Sequence, residues 1–165
     1  MNYPKRLPYK NLFFVTFVFA FLSPAFASPI QNDALSGNIV AVSPDQHWMA
    51  MVVPAEVKTP EECGLETANK ILLFDLKNLK KTVLVKPDFD CQSPESSIFS
   101  IEALAFSLDN KTLYFQSTAW AVSGALHAID VDGKNLRFLA PSNEFHLITE
   151  GAYAGDLAVF QHRYF

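Results

Sequence analysis

The chain has 165 residues, half of them hydrophobic, with 17 acidic against 13 basic side chains and a net charge of −4. That length holds one domain, with or without a leader. The acidic balance argues against a nucleic-acid partner, which calls for a basic surface.

Met1 to Ala27 places Lys5, Arg6 and Lys10 ahead of the apolar run Leu12 to Leu22, followed by Ala25-Phe26-Ala27. Basic, apolar and small-residue regions in that order predict a secretory signal peptide cleaved between Ala27 and Ser28. An uncleaved anchor is the alternative, but the apolar core is short for a membrane span. Cleavage leaves 138 residues bearing 10 basic and 17 acidic side chains, a charge of −7, with no further run long enough to cross a membrane. Residues 28–37 read as a short linker.

Strand patterns then follow one another. Asn38 to Val42 is apolar and β-prone, Ser43-Pro44-Asp45-Gln46-His47 is a turn, and Trp48 to Val53 is a second strand. Pro54 to Thr67 is an insertion, after which Lys70 to Asp75 forms a third strand. Ala103 to Phe106 opens a second copy, turning at Ser107 to Lys111 into Leu113 to Ser117. The loop Thr118 to Gly124 leads to Ala125 to Ile129, Asp132-Gly133 makes a tight turn, and Asn135 to Leu139 alternates as a half-exposed outer strand that Pro141 ends. A third copy starts at Phe145 to Ile148, turns at Gly155-Asp156 and runs Leu157 to Phe160.

Val42-Ser43 aligns with Phe106-Ser107 at an offset of 64 residues, and Asp75 with Asp130 at 55, so the insertion accounts for the difference. These residues resemble the TolB-like β-propeller repeat: Val42-Ser43-Pro44-Asp45 and Ile71 to Asp75 in one copy, Phe106-Ser107, Asp109, Ile129-Asp130 and Asp132-Gly133 in the next. Gln46 and Asn110 stand where the family prefers Gly, and Leu108 replaces its Pro. The resemblance implies an all-β fold of antiparallel four-stranded blades, a partial β-propeller preceded by a signal peptide, with blades at about 38–86 and 98–140 and an incomplete one at 145–165. That is about two and a half blades, where closed rings have about four to eight. A truncated reading frame, a ring or other homo-oligomer built from several copies, and a smaller closed sandwich are the three explanations.

In such a blade the loop between strands two and three and the connection to the next blade emerge on one face. Cys63 lies in the first and Cys91 in the second, and export places them in an oxidising compartment, so a disulfide is expected, stabilising by about 3–4 kcal/mol. Two free thiols are the alternative. The same face gathers Glu61, Glu62, Asp88 and Asp90 with Phe89 and Trp120, a candidate protein-binding surface in which an aromatic ring set among acidic loops serves as anchor. Against it stands a Trp that merely covers the blade edge amid solvated acidic loops.

No catalytic set emerges. The serines Ser43, Ser93, Ser96, Ser97, Ser107 and Ser123 lie in turns or loops without a G-x-S-x-G elbow. Cys63 and Cys91 are not spaced as a redox or zinc pair, and His47, His127, His146 and His162 are scattered, with His47 in a turn and His127 and His162 within strands. Asp130-Val131-Asp132-Gly133 begins like a calcium loop but lacks its closing Glu, so it reads as a hairpin turn. Neither metal nor cofactor is expected. The reading is an exported, periplasmic or extracellular bacterial protein, noncatalytic, that binds a protein partner. The alternative is the amino-terminal propeller portion of a secreted prolyl-oligopeptidase-like peptidase without its hydrolase domain.

Overall fold

The structure, a computed structural model, describes residues 39–57, 68–90 and 92–162. The signal peptide with its Ala27/Ser28 cleavage point, the linker, Glu61, Glu62 and both cysteines with their expected disulfide lie outside the described residues.

Among the described residues there are ten strands: β1 Val40–Val42, β2 Trp48–Pro54, β3 Asn69–Asp75, β4 Lys80–Val85, β5 Ile101–Phe106, β6 Thr112–Trp120, β7 Ser123–Asp130, β8 Arg137–Ser142, β9 Glu144–Leu147 and β10 Leu157–Phe160. They form two antiparallel meanders, β1-β2-β3-β4 and β5-β6-β7-β8, and a hairpin of β9 and β10. The fold is therefore all-β, built on antiparallel four-stranded sheets as the repeat implied.

The turns explain why the repeat keeps its Ser and Asp. Ser43 Oγ donates to Asp45 Oδ1 at 2.7 Å and accepts from Trp48 N at 2.9 Å, while His47 N donates to Asp45 Oδ1 at 3.0 Å. Sixty-four residues on, Ser107 Oγ donates to Asp109 Oδ1 at 2.6 Å and accepts from Thr112 N at 3.0 Å, and Lys111 N donates to Asp109 Oδ1 at 3.1 Å. Each side-chain pair satisfies backbone donors that the reversal would otherwise leave unpaired.

Gln46 (φ 59°) and Asn110 (φ 63°) both sit in the left-handed region, which is why Gly is favoured there. The two differ in what their side chains do. Gln46 is exposed, whereas Asn110 Oδ1 accepts from Asp45 N at 3.0 Å and so ties the turn of the second sheet to that of the first. Gln46→Gly is expected to raise unfolding free energy by about 0.5–1 kcal/mol by relieving the left-handed strain. In Asn110→Gly the same relief is offset by loss of a hydrogen bond contributing about 1 kcal/mol. Urea unfolding midpoints check this: the first variant should gain and the second should not.

The sheets pack through a core that both supply. Ala41, Ala50, Val52, Ile71 and Leu73 of the first cluster with Ile101, Phe106, Leu113, Phe115 and Ile129 of the second. β7 is buried from Gly124 to Ile129, on both its faces, and its Ile129 belongs to the cluster shared with the first sheet. Gly124 is required by close approach: a Cβ there would meet Ser117 O at 2.6 Å and Ser142 O at 3.1 Å.

Three local expectations are corrected. Thr118 to Gly124 is not a loop, because β6 continues to Trp120 and β7 begins at Ser123, with an irregularity in register between Thr118 and Trp120. Pro141 does not end the fourth strand; it pairs with Ala125 inside β8, tolerated because β8 is an edge strand whose outer side needs no donor. His162 lies beyond the end of β10, its N–H donating to Asn143 Oδ1 at 2.9 Å.

Candidate functional site

The meander carries the connections β2–β3, β4–β5, β6–β7 and β8–β9 to one end of the sheets, where the candidate binding residues were expected. Backbone pairing straps several of them together. Ala55 N donates to Ala68 O at 3.0 Å at the base of the first connection, Asn69 N to Phe99 O at 2.8 Å, and Thr118 N to Ser100 O at 2.8 Å. The segment Phe99 to Ile101 thus runs between the start of β3 and the end of β6. Asn69 fixes it further: its Oδ1 accepts from Ile101 N at 2.8 Å and its Nδ2 donates to Ile101 O at 3.2 Å.

Asp88 pairs through its backbone with Ile98, N to O at 2.8 Å and O from N at 2.7 Å, and its side chain stays exposed. Asp90 is committed to its own turn. Its Oδ1 accepts from Gln92 N at 3.2 Å and Ser93 N at 3.1 Å, and its backbone N donates to Ser97 Oγ at 2.8 Å. Phe89 between them is half-buried. Trp120, in a strand rather than a loop, is half-buried with its ring edge-on to Phe138 of β8, centroids 6.2 Å apart. Asp88, Phe89 and Asp90 are therefore together on one segment, and Trp120 belongs to the packing of β6 on β8.

At the opposite end the carboxylates of Asp45, Asp75, Asp109, Asp130 and Asp132 accept hydrogen bonds within their own turns. The Ser43 hydroxyl holds the Asp45 carboxyl below the ordinary carboxylate range, and Ser107 does the same for Asp109. The Asn78 side-chain amide, at 2.7 Å, is the main reason Asp75 falls to about 2; His47 Nε2 lies 3.1 Å from the same carboxylate. The Lys134 ammonium lowers Asp132. Among the described residues no group of three or more His, Cys, Asp or Glu is placed to hold a metal ion. A groove of about 310 Å³ lies between Trp48, Asp75 and Lys80 of the first sheet and Val131 to Gly133 of the second.

One pair with catalytic atoms escaped the sequence reading. Ser117 Oγ and His127 Nε2 are 3.1 Å apart on adjacent strands, a hydrogen-bonded hydroxyl and imidazole. They come together because Ser117 pairs with Ala125 and His127 with Phe115, diagonal neighbours on one face of the hairpin. Only a correct hairpin register, with its turn at Ala121-Val122, would have brought them into view. Both are buried, at 0% and 2% exposure, and His127 stacks on Phe115 with ring centroids 5.0 Å apart. No substrate atom can reach a nucleophile enclosed in this way, so the pair is a packing element.

The described residues thus form two four-stranded antiparallel meanders and a hairpin. No family model matches the chain, and no curated protein matches it. Among solved structures, TolB from Acinetobacter baumannii is similar with a TM-score of 0.43 and 18% identity, over 65% of this chain and 22% of that one. The β-propeller domain of the trilobed protease from Pyrococcus furiosus is similar with a TM-score of 0.42 and 12% identity, over 66% of this chain and 30% of that one. The chain thus spans less than a third of either protein. Among the described residues no helix is long and apolar enough to cross a membrane.

Proposed function

We propose that this chain is an exported, noncatalytic propeller-type protein whose strapped connection end binds a protein partner with a basic surface. The observation that carries the proposal is the acidic character of that end. The segment from Lys86 to Glu102, the β4–β5 connection with the start of β5, holds Asp88, Asp90, Glu95 and Glu102 against Lys86 alone, and Asp88, Glu95 and Glu102 are exposed. Val57 and Val122 add exposed apolar contacts, at 46% and 49% exposure. A rigid acidic surface with small apolar patches steers and orients a basic partner. Export to the periplasm or beyond rests on the leader sequence, and the noncatalytic reading on the enclosure of Ser117 and His127.

Reversing two exposed charges, Asp88→Lys with Glu95→Lys, is expected to weaken capture of the partner about tenfold or more and to flatten the salt dependence of binding. The check is cross-linking and affinity capture in cell-envelope extract, wild type against variant, with the captured protein identified and its affinity measured at two salt concentrations. Equal affinity of both forms for the same captured protein would overturn the loop-end reading.

A further inference from the structure

The two faces of each sheet differ, and the internal repeat shows which face meets which. On one face of the first sheet Ala41, Ala50 and Leu73 stand in one cross-strand row and Val52 with Ile71 in another; all are buried in the shared core. Against them the second sheet presents Phe106, Leu113, Phe115 and Ile129, all under 5% exposed. The turn-defined offsets, 64 residues for strands one and two and 55 for strand three, map those four positions onto Val42, Met49, Met51 and Phe74. The first sheet therefore carries, on the side away from the core, the same apolar rows that its repeat buries. Val42 is 43% exposed, and Met49, Met51 and Phe74 keep part of their surface in solvent.

The other end of the stack offers the complementary face. In the β9–β10 hairpin Leu147 pairs with Leu157 and Phe145 with Val159, matching Val42 with Met49 and Val40 with Met51. The alternate row, His146 with Ala158 and Glu144 with Phe160, lies on the face of the hairpin opposite the buried Phe145; Ala158 takes the position that Ala50 holds in the first sheet. Phe160 is 55% exposed, and Glu144, paired with His146 at 2.9 Å, is largely in solvent. The charges are opposite in sign. The outward rows of the first sheet end in Lys70, level with Val53, and Lys81, level with Phe74, and contain no acid; the hairpin row carries Glu144. Lys70 and Glu144 both stand at the connection end of their sheets.

We propose that the chain self-associates head to tail, the outward Met49–Met51–Phe74 face of one copy covering the outward Ala158–Phe160 face of the next. Such a contact joins two different patches, so it propagates into a ring or a filament instead of stopping at a symmetric dimer. The inference rests on the propeller-type reading of the chain and is independent of the acidic end.

A heterologous contact has a signature that other associations lack. The test uses the full chain as exported, with light scattering after size-exclusion chromatography and circular dichroism to confirm that each form is folded. Wild type is expected to show mass rising with concentration above that of one chain. Met51→Glu spoils the first face, Phe160→Glu the second, and each alone should run as a monomer. Mixed in equal amounts they should form a dimer and nothing larger, because only one intact pair of faces remains. Lys70→Glu and Glu144→Lys, which disturb packing less, should each weaken assembly and together restore it. A wild type that stays monomeric at every concentration, as it would if the chain's own leading residues or an unrelated partner covered the face, overturns the proposal. So does a mixture that fails to dimerise. Asp88→Lys with Glu95→Lys should assemble like wild type, which separates failure here from failure at the acidic end.

Discussion

Phe115→Ala should lower the unfolding free energy by about 3–5 kcal/mol, the range for removing a fully enclosed aromatic ring. Phe115 is 0% exposed in the middle of β6, level with Leu104 on β5 and His127 on β7. Its ring lies in the cluster that joins the two four-stranded sheets and stacks on the His127 imidazole. The neighbours are held by strand pairing on both sides, so they cannot collapse into the cavity, and the upper part of the range is expected. Phe138→Ala is the comparison. That ring is 39% exposed on the edge strand, and its loss should cost about 1–2 kcal/mol, mostly through the edge-on contacts with Trp120 and His127. Urea unfolding followed by tryptophan fluorescence and by circular dichroism measures both. If Phe115→Ala cost no more than Phe138→Ala, the two sheets would not share one core.

Most of the strands and their turns were legible because their causes are local; β4, with Lys80, Lys81 and Thr82 ahead of its short apolar end, was not, and β8 lies two to three residues later than its alternation suggests. Apolar alternation, Ser and Asp at the reversals, and an offset that recurs from Ser43 to Ser107 need no knowledge of the rest of the chain. Residues whose role depends on cross-strand register were not legible. Thr118 to Gly124 contains Thr, Ser and Gly and so reads as a loop, yet pairing of Thr118 with Gly124 and Trp120 with Ser123 carries both strands to a tight hairpin. That hairpin turns Trp120 from a loop anchor into a ring packed on Phe138. Pro141 reads as a terminator until the topology places it on an edge strand. Ser117 and His127 lie ten residues apart with nothing local to connect them, and only the register of β6 on β7 makes them neighbours. Of the candidate face, the acidic connection was visible as composition; that Asp90 is consumed by its own turn while Asp88 remains free depends on the Asp88–Ile98 bridge, a pairing between segments with no alternation to announce it.

Acid should destabilise the fold in two separate steps, and His127 sets the first. Burial pushes its imidazole down to about 4 from the ordinary 6.5, since a charged ring between Phe115 and Phe138 would lose its hydration. The groups facing it are neutral: the Ser117 hydroxyl and the two phenyl rings, with Arg137 of β8 directed to solvent near Asp130. Because the unfolded chain binds the proton more readily, stability is full above about pH 6.5 and falls as pH drops toward about 4, by roughly 3 kcal/mol in all. The aspartates of the turns act with the same sign in a lower window. Asp75, held at about 2, and the depressed Asp45 and Asp109 lose their contribution only as pH falls below about 4, when their carboxylates protonate. The repeat supplies the discriminating variant, since Leu72 occupies in the first sheet the position that His127 holds in the second. His127→Leu should abolish the loss of stability between about pH 6.5 and 4 and leave the steeper loss at lower pH intact. Urea midpoints measured across that range for both proteins decide it. Parallel curves would mean that the imidazole reaches solvent when it charges, and that the β6–β7–β8 packing around it opens more easily than its burial implies.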